Sequence, residues 1–142
     1  MSRVDFYVLA GTGEPSRHKF ACRLAEKAYR LNHTVHIHTA SRQQAELLDE
    51  LLWTFRDGSF VPHELLGVAG RHTDAPVTIG FDEAGIGGKD LLINLTGEVP
   101  EIAGSFPRVA ELVTSDEQSR QQSRKRFVHY RELGAELETH KL

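Results

Sequence analysis

VDFYVLAGTGEPSRHKFACRLAEKAYRLNHTVHIH, residues Val4 to His38, decides the fold class because it holds two different periodicities in one short span. Val4 to Leu9 is an apolar run of strand length bounded by Gly11 and Gly13, the pattern of a buried strand. Phe20, Leu24, Ala28 and Leu31 then recur at helical spacing, which predicts a helix from about Ser16 to Leu31, ended by Asn32-His33. Thr34 to His38 alternates again, with Val35 and Ile37 inward and His36 outward, and reads as a second strand.

Working outward, the same alternation continues. Ser41 with Gln44 three residues on is a capping-box pattern, opening a helix that carries Leu47, Leu48, Leu51 and Leu52 and finishes near Trp53. Gly67 to Asp74 lacks periodicity, Pro76 to Phe81 is a candidate strand, and Asp82 to Gly88 is a glycine-rich turn. Leu91 to Leu95 is the clearest buried strand of the second half. A short helix is expected over Pro100 to Phe106 and a strand over Val109 to Val113. Thr114 or Ser115 caps a long final helix, with Asp116 and Glu117 in the first turn where the dipole favours anions. Strands alternating with helices imply an α/β fold: three layers, a mostly parallel central sheet flanked by helices, in one domain over residues 1–142.

Composition narrows the function classes. At 142 residues and 39% hydrophobic, the chain can bury an ordinary core without a covalent staple. The lone Cys22 excludes an intrachain disulfide or cysteine metal site. No run approaches membrane-spanning length and no cleavable leader pattern follows the first strand, so a cytoplasmic protein with no membrane contact is expected. A net charge of −3 argues against a generally basic nucleic-acid binder.

The stretch Leu48 to Gly67 places aromatics where a core does not need them. Leu48, Leu51, Leu52 and Phe55 share one helical face, whereas Trp53 falls about 140° from Leu48. A turn on Asp57-Gly58-Ser59 follows, then an extended Phe60-Val61-Pro62-His63, since proline disfavours helical geometry at the residue before it. Trp53 and Phe60 therefore flank one turn, either covered by another helix or offered to a protein partner as anchors.

Catalytic signatures fail on inspection. The first turn, Gly11-Thr12-Gly13-Glu14, lacks the third glycine of a dinucleotide site and the Gly-Lys-Ser/Thr of a P-loop, and Glu14 repels phosphate. A nucleotide-binding enzyme or sensor using the Gly11 to Gly13 turn is the alternative reading. Gly85 to Asp90 precedes a strand and lacks a helix dipole. His36 and His38 share a strand face as a solvated or satisfied surface pair, without further ligands at metal-site spacing. No catalytic residue, cofactor or metal is expected.

The final helix carries a different pattern. Relative to Arg120, Arg124 lies about 40° away, and Phe127 and Arg131 about 20° to either side, so the four share a face. Core contacts are expected from Tyr130, Leu133 and Leu137, with Phe127 at the border. Like charges at i, i+4 cost a helix about 0.2–0.5 kcal/mol, so the stripe does not stabilise the helix. It is either a solvated basic face or a groove for an acidic peptide ending in an aromatic, or for a phosphate backbone.

These segments together carry a resemblance. The Leu48-Asp49-Glu50 to Trp53 helix, Ser59-Phe60-Val61-Pro62-His63, Asp90-Leu91-Leu92-Ile93-Asn94-Leu95 and Arg126-Phe127-Val128-His129-Tyr130-Arg131 occur in an order similar to the chi subunits of bacterial DNA polymerase III. The resemblance implies a nucleotide-binding-like topology without nucleotide, and a non-catalytic accessory subunit of the clamp-loader assembly of the polymerase holoenzyme. It implies two partners: the psi subunit, and the acidic, phenylalanine-ended C-terminal tail of single-stranded DNA-binding protein, with DNA met only indirectly. By resemblance, Trp53 and Phe60 contact psi, and Val113, Arg120, Arg124 and Phe127 form the tail pocket, assisted by Arg131. The chain departs from the family pattern with Arg120 for lysine, Phe127 for tyrosine and Val128 for lysine. Arginine keeps the charge and adds bidentate carboxylate recognition, whereas Val128 removes one cation, which either weakens the tail contact or leaves Arg131 to compensate.

Overall fold

Arg3–Val8 forms β1, Gly13–Arg30 α1, Val35–His38 β2, Arg42–Thr54 α2, His63–Leu65 β3, Val77–Gly80 β4 and Leu91–Asn94 β5. A 3₁₀ helix over Glu101–Ser105 leads into β6, Arg108–Val113, then α3, Glu117–Glu132, and β7, Glu136–Lys141. This computed structural model describes residues 2–58, 60–66, 74–82 and 88–142. Ser59, the segment 67–73 and most of the glycine-rich turn, residues 83–87, lie outside the described residues.

Among the described residues the strands form one sheet in the order β3-β4-β2-β5-β6-β1-β7, with every pairing parallel. Parallel neighbours need crossovers, and the helices that supply them cover both faces. On one face, Ala21, Cys22, Ala25, Leu48 and Leu52 pack on Ile37, Ile79, Ile93 and Leu112. On the other, Ala103, Phe106 and Tyr130 pack on Val4, Phe6, Val109 and Val113. The result is the three-layer α/β architecture expected from the alternation.

Local chemistry explains the helix limits. Pro15 sits in the first turn of α1, where a missing N–H removes no helical bond, so the helix begins at Gly13 rather than Ser16. Asn32, at φ 64°, closes it with paired bonds from Asn32 N to Tyr29 O and from His33 N to Ala28 O. Ser41 Oγ accepts from Gln44 N at 3.2 Å, and Gln44 Oε1 accepts from Ala40 N at 2.8 Å, the expected cap shifted by one residue on its return bond. At α3 the cap is Asp116, whose carboxylate accepts from Ser119 N, not Thr114 or Ser115.

Several expectations are corrected by the packing. α1 lies on the sheet through Ala21, Cys22, Ala25 and Ala28, which allow close approach, while Leu31 is 60% exposed. His36 does not face outward, and His36 and His38 are not a surface pair: both are buried, because an interior parallel strand is covered on both sides. The final helix stops at Glu132; Gly134, at φ 83°, makes the left-handed turn, with Gly134 N to Arg131 O and Ala135 N to Tyr130 O. Leu133 is therefore an exposed cap residue, and Leu137 packs from β7 rather than from a helix.

Candidate functional site

The sheet order places the two predicted surfaces at opposite edges. α3 packs over β6 and β7 at one edge, and α2 packs over β3 and β4 at the other. With strands spaced by about 4.8 Å, a seven-strand sheet separates its edges by roughly 30 Å.

At the β3 edge, Trp53 is 52% and Phe60 64% exposed, and their ring centroids lie 5.8 Å apart. The structure thus brings together two aromatics that sequence placed only on either side of a turn. Gly58, at φ 75°, makes the reversal that returns the chain beside α2. Beneath the pair, the His63 ring lies 4.5 Å from the Trp53 ring.

At the other edge, Arg120, Arg124 and Arg131 are exposed on α3, and no ion pair among the described residues includes them. Phe127 is half-buried beside them, with its ring 5.4 Å from Phe6. Val113 is buried in the same apolar cluster, so it can furnish the floor of an apolar seat but little open surface. Asp116 caps α3 and Glu117 stands in its first turn, at the far end of the stripe from Arg131.

What aims this face outward is a buried polar network that sequence reading missed. Glu111 of β6 is fully buried and accepts from Arg126 Nε at 2.9 Å, Asn94 Nδ2 at 2.8 Å and Tyr130 Oη at 2.6 Å. Burial pushes the Glu111 carboxyl above its ordinary range, opposed by Arg126 and the hydrogen-bond donors Asn94 and Tyr130. Burial and the neighbouring Glu111 also push the Tyr130 phenol up, so it stays a donor. Arg126 and Tyr130 thereby hold α3 against β6 by its inner face and leave the arginine stripe on the outer one. The legible signal was Glu111 itself, a charge inside the apolar run of β6.

Other chemistry-bearing residues lie elsewhere in the fold. Gly13, Glu14, Arg17, Thr114 and Asp116 line a cleft of about 420 Å³ at the carboxyl end of the sheet, where α/β folds bind nucleotides. Its carboxylates Glu14 and Asp116 oppose phosphate, and Arg17 is drawn to Glu14 at 3.0 Å and Leu95 O at 2.7 Å. At Gly11 a Cβ would lie 2.5 Å from Ser16 Oγ, a contact that rotation of the short serine side chain relieves, so the turn does not demand glycine there on packing grounds. Burial pushes the Cys22 thiol up to about 12 and His36 down to about 3, leaving a neutral thiol and a neutral imidazole. Asp5, Glu138 and His140 converge closely enough to hold a cation, yet Asp5 already pairs with Arg108 and His140, both at 2.9 Å, and Glu138 with Arg3 at 2.9 Å. No helix among the described residues is long and apolar enough to cross a membrane.

The family model described as DNA polymerase III chi subunit, HolC, matches residues 1–138. A protein named DNA polymerase III subunit chi from Pseudomonas aeruginosa is 45% identical over 142 residues, covering 100% of this chain and 98% of the relative. Proteins of the same name from Haemophilus influenzae and Escherichia coli are 33% and 31% identical, covering 95% and 98% of this chain and 94% and 97% of their own lengths. Among solved structures, S. cerevisiae Dbp5 bound to RNA and ADP matches with a TM-score of 0.59 at 13% identity, over 100% of this chain and 42% of that one, a likeness of fold alone.

Proposed function

The chain belongs to the DNA polymerase III chi subunit family, whose members serve DNA replication as accessory subunits, and on that premise we propose that it is a non-catalytic adaptor with two separate docking surfaces. Trp53 and Phe60 receive the psi subunit of the clamp loader. Arg120, Arg124, Arg131, Phe127 and the Val113 floor receive the acidic, phenylalanine-ended C-terminal tail of single-stranded DNA-binding protein. Residues 1–142 act as one chi-like domain, and DNA is reached only through these partners.

The observation that carries the reading is the arginine stripe of α3: exposed cations with no ion pair among the described residues, beside a half-buried aromatic, on a helix they do not stabilise. A peptide with carboxylates and a terminal phenyl ring complements both features, the ring seating against Phe127 and Phe6 while guanidinium groups bind carboxylates bidentately. Single-stranded DNA fits less well, because it needs successive stacking aromatics along a basic groove, whereas α3 carries just two aromatics, Phe127 and the buried Tyr130.

Arg124→Ala is expected to weaken binding of a fluorescent tail peptide roughly tenfold, the size of a charge-assisted contact, with psi affinity unchanged. Anisotropy titration measures it; an unaltered peptide affinity sinks the assignment of the stripe. Raised salt weakens the native complex more than the Arg124→Ala complex, since screening acts on a charge the variant lacks. Incubation with a nucleotide panel leaves the melting temperature unmoved, whereas a nucleotide at a hundred times its dissociation constant would add about 2.7 kcal/mol.

A further inference from the structure

His63 makes an arrangement that a neutral imidazole cannot complete. Its Nδ1 lies 2.6 Å from Val61 O and its Nε2 2.9 Å from Asp49 O, both with geometry suited to N–H donation. Carbonyl oxygens only accept. A neutral ring carries one N–H and one lone pair, so one of these contacts would set a lone pair against a carbonyl. The doubly protonated ring satisfies both.

The surroundings supply what a buried cation requires. The side chain is 0% exposed, and the Asp49 carboxylate lies 3.4 Å from Nε2. The Trp53 ring, 4.5 Å away, adds a polarisable face. Asp49 of α2 is the acidic group within salt-bridge reach among the described residues. On the adjacent strand β4, Val77 stands opposite His63, and Val77–Gly80 carries no titratable side chain. Glu64, the neighbour on β3, projects to the other face of the strand.

We propose that His63 is a positioning residue: a buried imidazolium that clips Asp49 of α2 to Val61 of the β3 approach, holding Trp53 and Phe60 in register for their partner and making that docking depend on protonation. The partner's identity rests on the psi reading above, while the state of His63 does not. The clip explains why the aromatics converge, since Trp53 is four residues after Asp49 and Phe60 immediately precedes Val61. Loss of one proton breaks one of the two bonds and frees one side of the platform. Docking is therefore strongest at low pH and weakens as pH rises.

Trp53 is the sole tryptophan, so tryptophan emission, excited apart from the tyrosines, reads this site alone. In the full chain without any partner, emission is expected to rise in one step as pH is raised from acid, as a contacting imidazolium quencher becomes neutral. His63→Gln is expected to remove the step; a native profile without one, or the same step in His63→Gln, overturns the proposal. Should that variant fold poorly, ¹⁵N-histidine spectra of the native chain decide: protons on both ring nitrogens of His63 at the low-pH limit support the clip, and a bare nitrogen there overturns it. Psi affinity, by calorimetry, is expected to fall about fivefold to tenfold across the same step. A constant, measurable affinity overturns the coupling to docking, while absence of psi binding at every pH overturns the partner assignment and leaves the emission step to judge His63.

Discussion

Glu111→Ala lowers the unfolding free energy by about 3–5 kcal/mol, the cost of leaving a buried partner charge uncompensated. Arg126 would remain in an environment that leaves it 4% exposed, having lost the carboxylate 2.9 Å from its Nε. Asn94 Nδ2 and Tyr130 Oη would each lose an acceptor as well, although Asn94 keeps a bond to Glu98 O at 2.9 Å. For a domain of this size the loss corresponds to a melting temperature lower by roughly 10 °C, and urea denaturation measures it directly. The informative contrast is removal of the whole network. Glu111→Leu with Arg126→Met, Asn94→Leu and Tyr130→Phe replaces polar groups by apolar ones of similar volume, and such replacements are often neutral or stabilising. If Glu111→Ala costs less than about 1 kcal/mol, Arg126 reaches solvent in solution and the network does not fix α3. The same variant also weakens tail-peptide binding, since α3 loses its tie to β6 and with it the pose of its outer face.

Trp53→Ala reduces psi affinity by about 2–4 kcal/mol, a factor of roughly 30 to 1,000, as expected for an aromatic anchor buried on docking. Phe60→Ala has an effect of the same order. Because both side chains are more than half exposed in the free chain, their removal changes folding stability far less than Glu111→Ala does. Tail-peptide affinity is expected to be native in both variants, since sites at opposite edges of the sheet share no partners and their effects add. Calorimetry with psi and anisotropy with the peptide, run on the same preparations, test both halves. Loss of the two affinities together would mean that one surface, not two, is in use.

Much of this arrangement was legible locally. The strand and helix alternation of Val4 to His38 and the cap at Ser41 follow from neighbours a few residues apart, as do the off-face Trp53 and the common face of Arg120, Arg124 and Arg131. The stop at Gly134 was equally legible, because a glycine past the last helical turn is the usual left-handed terminus. It was outweighed by Leu133 and Leu137, whose spacing continues the apolar stripe of α3. The strand that follows, Glu136–Lys141, is charged along most of its length, as an edge strand is when it must not pair with another chain. That composition conceals a strand from any reading based on apolar alternation.

Sequence by itself determined which segments are strands or helices over most of the described residues, that the class is α/β, and which residues of α2 and α3 turn away from their own apolar stripes. These are properties of one element about its own axis, set by periods of two and 3.6 residues. Tertiary structure alone decided that His36 is covered on its second face, that Glu111, Arg126 and Tyr130 meet across 15 to 19 positions, and that His63 faces two carbonyls beneath Trp53. It also decided that the Trp53–Phe60 pair and the arginine stripe of α3, the two surfaces proposed for docking, occupy opposite edges, through the strand order. The physical reason is that periodicity reports which face of an element is apolar but not what lies against it. Desolvation and hydrogen-bond pairing depend on that neighbour, and it comes from a distant part of the chain.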